Sequence, residues 1–391
     1  METKPLHILF LCSWYPNPES KSNGIFIKRH AQALAKKHQV TVLFAKAVND
    51  VEDISTIQKQ EDNLVEHIRF YHKLKHNIPV LGILIKLFRF HREYKELINA
   101  LPTNQSFDVI HLNTIFPAVI PALYTLKKYP QAKLFITEHW SGYYPEDGNY
   151  KGSFMIALTK KIIKKAQAVF VISEKLKLAM LSHQLNANYE LVNNVVDTEI
   201  FKPTNERVQS DILKIIHVSS LVNREKNIDG IITIAEQLSK KNKPYHLTIV
   251  GENVAEIDAY KKVLTQKSLV ERVTFVGYKP PVEVAAHMNQ SDVFLLFSHF
   301  EGMPVVLLEA LACGLPVITT PVGAVKQMIN PNMGSILNAH AVNECVVNLI
   351  NFKRDEYTSS SEMHEYIKIN YSKAAVCNSL TNLYIKYSTN D

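Results

Sequence analysis

The residues of this 391-residue chain best suited to chemistry lie between Ser298 and Pro316. There an apolar run is interrupted by two carboxylates, Glu301 and Glu309, with Gly302, Met303, Pro304 and Val305 opening a helical pattern between them. Paired carboxylates suggest first the acid and base of a glycoside hydrolase. Their separation along a helix, however, puts their backbones on the order of 12 Å apart at ~1.5 Å rise per residue, beyond the roughly 5–9.5 Å over which such pairs operate. An anion site fits better. Gly302 lets the backbone approach a ligand, Pro304 suits the first helical position and Gly314 the position just past the end. The amides of Met303, Val305 and Val306 are then open to a phosphate. A carboxylate beside such a site accepts hydrogen bonds from sugar hydroxyls. Taken alone, the residues also fit a capping role for Glu301 and a cation partner for Glu309, and without a wider pattern that reading is favoured.

Strands must end beside such a loop to hold it. Short β-branched runs alternate with helical patterns at 7–12, 40–44, 109–112, 133–137 and 168–172, and again at 214–218, 246–250, 272–276, 293–297 and 316–319. They are apolar on successive residues, as parallel strands covered by helices on both faces must be. The expected fold class is therefore α/β, with two Rossmann-like parallel-sheet domains, in which ligands bind outside the carboxyl ends of the strands. The polar stretch 197–205, with Pro203, reads as a linker. It divides an N-terminal domain, 1–203, from a C-terminal one, 204–372.

Composition narrows the function. Hydrophobic residues at 46% and charged residues at 21% exclude disordered and fibrous classes. The longest apolar stretch, Ile78 to Ile85, is far short of the ~20 residues of a membrane span. The N-terminal run, Ile8 to Cys12, is too short for a signal peptide, and four scattered cysteines write neither a zinc site nor a disulfide framework. A cytoplasmic location is expected. Residues 1–203 carry 26 lysines and arginines against 18 aspartates and glutamates, and residues 204–391 carry 18 against 19. The first half thus suits an anionic partner, nucleic acid or a membrane surface, or presents a solvated basic face. Residues 78–99 set Leu81, Leu84, Ile85, Phe88 and Leu97 among Lys86, Arg89, Arg92 and Lys95. This basic amphipathic pattern suits peripheral binding to an anionic membrane surface, or a core-packed helix with a cationic outer face. No Gly-x-Gly-x-x-Gly follows the first strand of either half, which argues against a dinucleotide oxidoreductase. No Asp-x-Asp occurs, so no metal is expected.

The run from Glu301 through Glu309 to Gly314, continuing Leu315-Pro316-Val317-Ile318-Thr319-Thr320-Pro321-Val322-Gly323-Ala324, resembles the signature of the retaining nucleotide-sugar glycosyltransferases of family 4, which have the GT-B fold. Four further segments are similar to family landmarks and fall in the family's order. They are Ile8–Pro16 followed by Asn23–His30, Thr137-Glu138-His139-Trp140-Ser141-Gly142, Asn194-Val195-Val196-Asp197, and Val276-Gly277-Tyr278. Only residues 45–105 and those past 335 lack such landmarks.

The resemblance implies two domains facing each other across a cleft, the donor in the C-terminal one, the acceptor in the N-terminal one, and a C-terminal helix at about 373–391 packed back onto the first domain. It implies that Glu309 holds the ribose hydroxyls and that Glu301 contacts the donor sugar. The backbone of Gly302, Met303, Pro304 and Val305 would lie near the diphosphate, with Gly277 and Tyr278 also on the donor. Gly24 would let the first loop meet the phosphates, and His139 would be the active-site histidine beside the sugar. One departure stands out: the family's diphosphate-binding arginine is replaced by Ser220, while Lys226 keeps the place of its lysine. Arg224 is the local candidate to supply the missing charge.

The implied activity is transfer of a sugar, with retention of configuration, from a UDP- or GDP-linked donor to a hydroxyl of a glycan or lipid-linked acceptor. The setting would be cell-surface polysaccharide synthesis, with no cofactor and no nucleic acid. Two alternatives stay open: a nucleotide-sugar epimerase of related fold, and a catalytically weak nucleotide-sugar-binding subunit, motivated by Ser220.

Overall fold

The structure, a computed structural model, describes residues 4–49, 54–73, 81–204, 210–338 and 341–388. The chain forms two compact units, one from residues up to Val195 together with those from Lys373 onward, the other Val196–Ser372. The sequence reading put the division at residue 203. It falls earlier because Asp197–Phe201 folds with the second unit: the Asp197 carbonyl accepts the N–H groups of Ile200 and Phe201, Val196 N–H donates to Tyr371 C=O, and Phe201 is buried.

The first unit holds a sheet of β1 (His7–Cys12), β2 (Gln39–Val48), β3 (Ser55–Glu61), β4 (Leu64–His72), β5 (Val109–Asn113), β6 (Lys133–Glu138), β7 (Ala168–Val171) and β8 (Tyr189–Leu191), in the order β3-β4-β2-β1-β5-β6-β7-β8. All neighbours are parallel except β3 and β4, an antiparallel hairpin turned at Asp62 with φ 51°. The consecutive apolar residues of β1 and β7 are buried on both faces, as the unbroken apolar runs required. The hairpin was not anticipated. β3, Ser-Thr-Ile-Gln-Lys-Gln-Glu, is exposed along its whole length and so lacks the apolar alternation that marks a strand.

The helix of the amphipathic stretch runs Leu81–Ala100, while residues 78–80 lie outside the described ones. Its buried stripe is Phe90, Tyr94, Leu97 and Ile98, at helical spacing, and Leu84 and Phe88 turn outward. The sequence reading had placed these two on one apolar face with Leu97. The helix Lys373–Ser388 buries Val376, Cys377, Leu380 and Tyr384 in the core of this unit, where Tyr384 packs on Phe135 and its hydroxyl meets His111 Nδ1 at 2.5 Å.

The second unit holds β9 (Leu213–Val218), β10 (Tyr245–Val250), β11 (Val273–Gly277), β12 (Val293–Leu296), β13 (Val317–Thr319) and β14 (Gly334–Ile336), all parallel, in the order β11-β10-β9-β12-β13-β14. The chain winds outward from β9 to one edge, then returns to start the other half beside it. That reversal makes a crevice at the carboxyl ends of β9 and β12. In the first unit the same reversal lies between β1 and β5. Helix starts follow local chemistry: Asn253 accepts the Glu256 N–H, and Ser359 with Glu362 forms a capping box.

Candidate functional site

In the second unit the loops after β9 and β12 meet. The backbone carbonyl of Glu225 accepts the N–H groups of His299 and Phe300, so the segment carrying Lys226 is stitched to the one carrying Glu301. Lys226 Nζ donates to both carboxylate oxygens of Glu301 at 2.9 Å, and Ser298 Oγ donates to Oε1 at 2.8 Å. The pair is largely withdrawn from solvent, Lys226 16% and Glu301 10% exposed. Glu301, for which the residues alone suggested a capping role, thus holds a cation partner of its own.

The start of the loop after β9 is set by a buried relay. His217 Nδ1 donates to Leu295 C=O on β12, and the Ser219 hydroxyl donates to His217 Nε2. The Ser219 oxygen in turn accepts the N–H of Leu221, which holds a left-handed φ of 60°. Burial pushes the His217 pKa down to about 4, keeping the ring neutral and able to accept. Ser220 follows, half-buried, in the place of the expected arginine. Arg224 is exposed, and it stands two residues from Lys226 on the helix Asn223–Lys226, so the two side chains leave it on opposite sides. The structure does not bring Arg224 to Glu301.

The helix Val305–Ala312 opens at this loop, with Pro304 as its N-cap residue and not its first helical residue. Leu307 N–H donates to Pro304 C=O, while the amides of Val305 and Val306 stand at the open end, where an anion is favoured. Glu309 lies one turn inside this helix and is buried. Gly314 ends it in the left-handed conformation, φ 66°. Gly302 and Met303 lead into the helix, and the Gly302 carbonyl accepts the Ala324 N–H. A Cβ on Gly323 would sit 2.2 Å from that carbonyl oxygen, so only glycine lets the loop after β13 close on Glu301 and Gly302. Gly277 ends β11 at the sheet edge with φ 73°, followed by the exposed Tyr278.

In the first unit Gly24 begins the helix Ile25–Leu34 with φ 65°, and a Cβ there would meet the Trp14 carbonyl carbon at 2.5 Å. The loop after β1 and this helix start are thereby pressed together. His139 follows β6. Its ring is buried against Phe26, centroids 4.3 Å apart, and neither ring nitrogen has a hydrogen-bond partner. Burial, with the His30 and His111 rings nearby, holds its pKa well below the ordinary value, so it acts as a neutral imidazole. Two unpaired buried nitrogens beside a strand end suit a hydroxyl supplied by a ligand.

Glu138, just before His139, is the residue that sequence reasoning missed. Its Oε1 accepts the N–H groups of His139 and Trp140, and its Oε2 accepts the Ile115 N–H and the Tyr143 hydroxyl. One buried carboxylate thus fixes both the His139 turn and the turn after β5, where Thr114 holds φ 61°. Its burial pushes the pKa up against the pull of these four donors. The signal available was an acidic residue ending an apolar strand directly before a histidine. Glu138→Gln keeps the shape but aims an amide N–H₂ at backbone donors, and is expected to lower unfolding free energy by about 1–3 kcal/mol. Tyr143→Phe, which removes one donor to the buried carboxylate, is expected to cost about 1.5–3 kcal/mol. Urea unfolding measures both, and an undiminished stability of Glu138→Gln would refute the role.

Residues 197–373 match the family described as Glycosyl transferases group 1, and residues 24–200 match Glycosyltransferase Family 4. The chain is 24% identical to a putative teichuronic acid biosynthesis glycosyltransferase of Bacillus subtilis (strain 168), over 87% of this chain and 88% of that one. It is 28% identical to a phosphatidylinositol N-acetylglucosaminyltransferase component of Arabidopsis thaliana over 37% of this chain, and the match spans only about a third of that protein's length, 32%. In fold it is similar to the sucrose-phosphate synthase of Thermosynechococcus elongatus, with a TM-score of 0.78 and 18% identity over 97% of this chain and 98% of that one.

Proposed function

Because the chain belongs to the glycosyltransferases of GT-B type, we propose that it moves a sugar from a UDP- or GDP-linked donor, held by the second unit, to a hydroxyl of a glycan or lipid-linked acceptor received by the first. Polysaccharide synthesis is the setting, as the name of the Bacillus relative suggests for that protein. The observation that carries the reading is the meeting of Lys226 and Glu301 at the strand-order reversal of the second sheet, beside the open start of Val305–Ala312. Lys226 and the open amides receive the diphosphate. Glu301 turns to the sugar, and Glu309 to the ribose. Negative charge developing on the leaving diphosphate is met by groups already in place, which is where electrostatic catalysis acts.

The transfer retains configuration. As the bond from the anomeric carbon to the diphosphate oxygen breaks, the acceptor oxygen bonds that carbon on the same face, and its proton passes to the departing diphosphate. His139, neutral, serves the reaction as a hydrogen-bond partner for a sugar hydroxyl. The basic helix Leu81–Ala100 suits an acceptor presented at an anionic membrane surface, and no helix among the described residues is long and apolar enough to cross a membrane.

Thermal shift with a panel of UDP-, GDP- and ADP-sugars tests donor binding. Nucleotide release only when acceptor is present separates a transferase from an epimerase, and no shift with any donor would sink the reading. Activity is expected to survive EDTA, because the chain lacks Asp-x-Asp to carry a metal on the diphosphate. Loss in EDTA with rescue by magnesium or manganese would reverse that expectation.

A further inference from the structure

On the outer side of the first unit, the helices Leu81–Ala100, Val119–Lys128 and Ser153–Ile163 enclose a groove of about 360 Å³. Its apolar lining is Ile120, Leu123 and Leu126, and its cations are Lys127, Lys161 and Lys165. Among the described residues, no acidic side chain lines it. All three helices connect parallel strands of one sheet, so each runs from the carboxyl edge of the sheet toward the amino edge. On Leu81–Ala100, the residues Leu84, Phe88 and His91 follow helical spacing, and His91 lines the groove. On Ser153–Ile163, Phe154 and the groove residue Lys161 share a stripe in the same way.

Each flanking helix therefore carries exposed apolar side chains on its groove-lining stripe: Leu84 is 53%, Phe88 67% and Phe154 51% exposed. They lie toward the carboxyl edge of the sheet, where His139 also sits, and Lys161 and Lys165 lie toward the opposite edge. A solvated basic face explains the lysines but not the phenylalanines. An acidic protein partner would explain charge without the apolar lining. An anionic amphiphile matches both.

We propose that this face docks on an anionic phospholipid bilayer, the groove holding one phosphodiester headgroup among Lys127, Lys161 and Lys165 while Leu84, Phe88 and Phe154 enter the interface. This deepens the membrane surface proposed above, on which it rests, and moves the main contact from the polar face of one helix to a site shared by three.

The test is co-sedimentation of the full chain with vesicles of phosphatidylglycerol and phosphatidylcholine, against phosphatidylcholine alone, at low and physiological salt. Wild type is expected to prefer the anionic vesicles. Lys161→Ala/Lys165→Ala is expected to weaken binding by roughly 25-fold, about fivefold per lysine. Phe88→Ser/Phe154→Ser should remove the part of binding that resists salt, and Lys261→Ala/Lys262→Ala, on the second unit, should change nothing. Loss in Lys86→Ala/Arg92→Ala with full binding in Lys161→Ala/Lys165→Ala would overturn the groove and leave the membrane reading standing. No preference of wild type for anionic vesicles would overturn both. Thermal shift with UDP and GDP, run in parallel, reports on the donor site separately.

Discussion

Glu301→Ala is expected to lower turnover by about two orders of magnitude or more while tightening the binding of free UDP or GDP. The two effects have opposite signs because Glu301 does two things. In the proposed function it turns to the sugar, and loss of a group acting in the transition state falls on turnover. It also holds Lys226 with two charge-assisted hydrogen bonds, so a diphosphate must displace a carboxylate before it gains that cation. Removing the carboxylate releases the lysine. Lys226→Ala should weaken nucleotide binding and turnover together, and it leaves Glu301 little exposed and without its cation, which also lowers stability. Arg224→Ala should leave kinetics within about twofold, as an exposed side chain worth less than ~0.5 kcal/mol would. Titration calorimetry with the free nucleotide, beside steady-state rates, resolves these effects. Equal weakening of nucleotide binding by Glu301→Ala and Lys226→Ala would contradict the account.

The second large effect is acid sensitivity. His30 and His217 have pKa values pushed down to about 4 by burial, and those of His111 and His139 lie well below the ordinary histidine range for the same reason. In the unfolded chain each titrates near 6.5. Above that pH all four are neutral in both states and folding is not penalised. As pH falls below 6.5 the unfolded chain takes up protons that the folded one refuses, so each ring costs about 1.4 kcal/mol per pH unit until its folded pKa is reached. Stability should therefore fall steeply between pH 6.5 and about 4. Chemical unfolding at pH 7.5, 6.0 and 5.0 would show this. A flat profile over that range would refute the sign.

Strands with unbroken apolar runs were legible because burial on both faces leaves no other pattern, and the loop around Glu301 was legible because Pro304 and Gly314 bracket a short helix. The pairing of Lys226 with Glu301 was not, since it depends on the Glu225 carbonyl joining two loops far apart in the chain. Glu138 escaped for a related reason: a carboxylate solvated by backbone N–H groups looks in sequence like any strand-end acid. The exposure of Phe88 was misread because a helix of mixed residues has several apolar stripes, and only the packing of Phe90, Tyr94 and Leu97 decides which is inside.

The return of the chain at Lys373 also bears on biosynthesis. Tyr384, Leu380 and Val376 fill the core of a unit whose other residues end at Val195, so the ribosome must make the entire second unit before the first can close. In that interval the apolar seat for the helix Lys373–Ser388 is open, and the buried His111 lacks the hydroxyl of Tyr384. A nascent chain halted before residue 373 carries a complete second unit and an unsealed first one, which makes this interval the step at which a chaperone has something to hold.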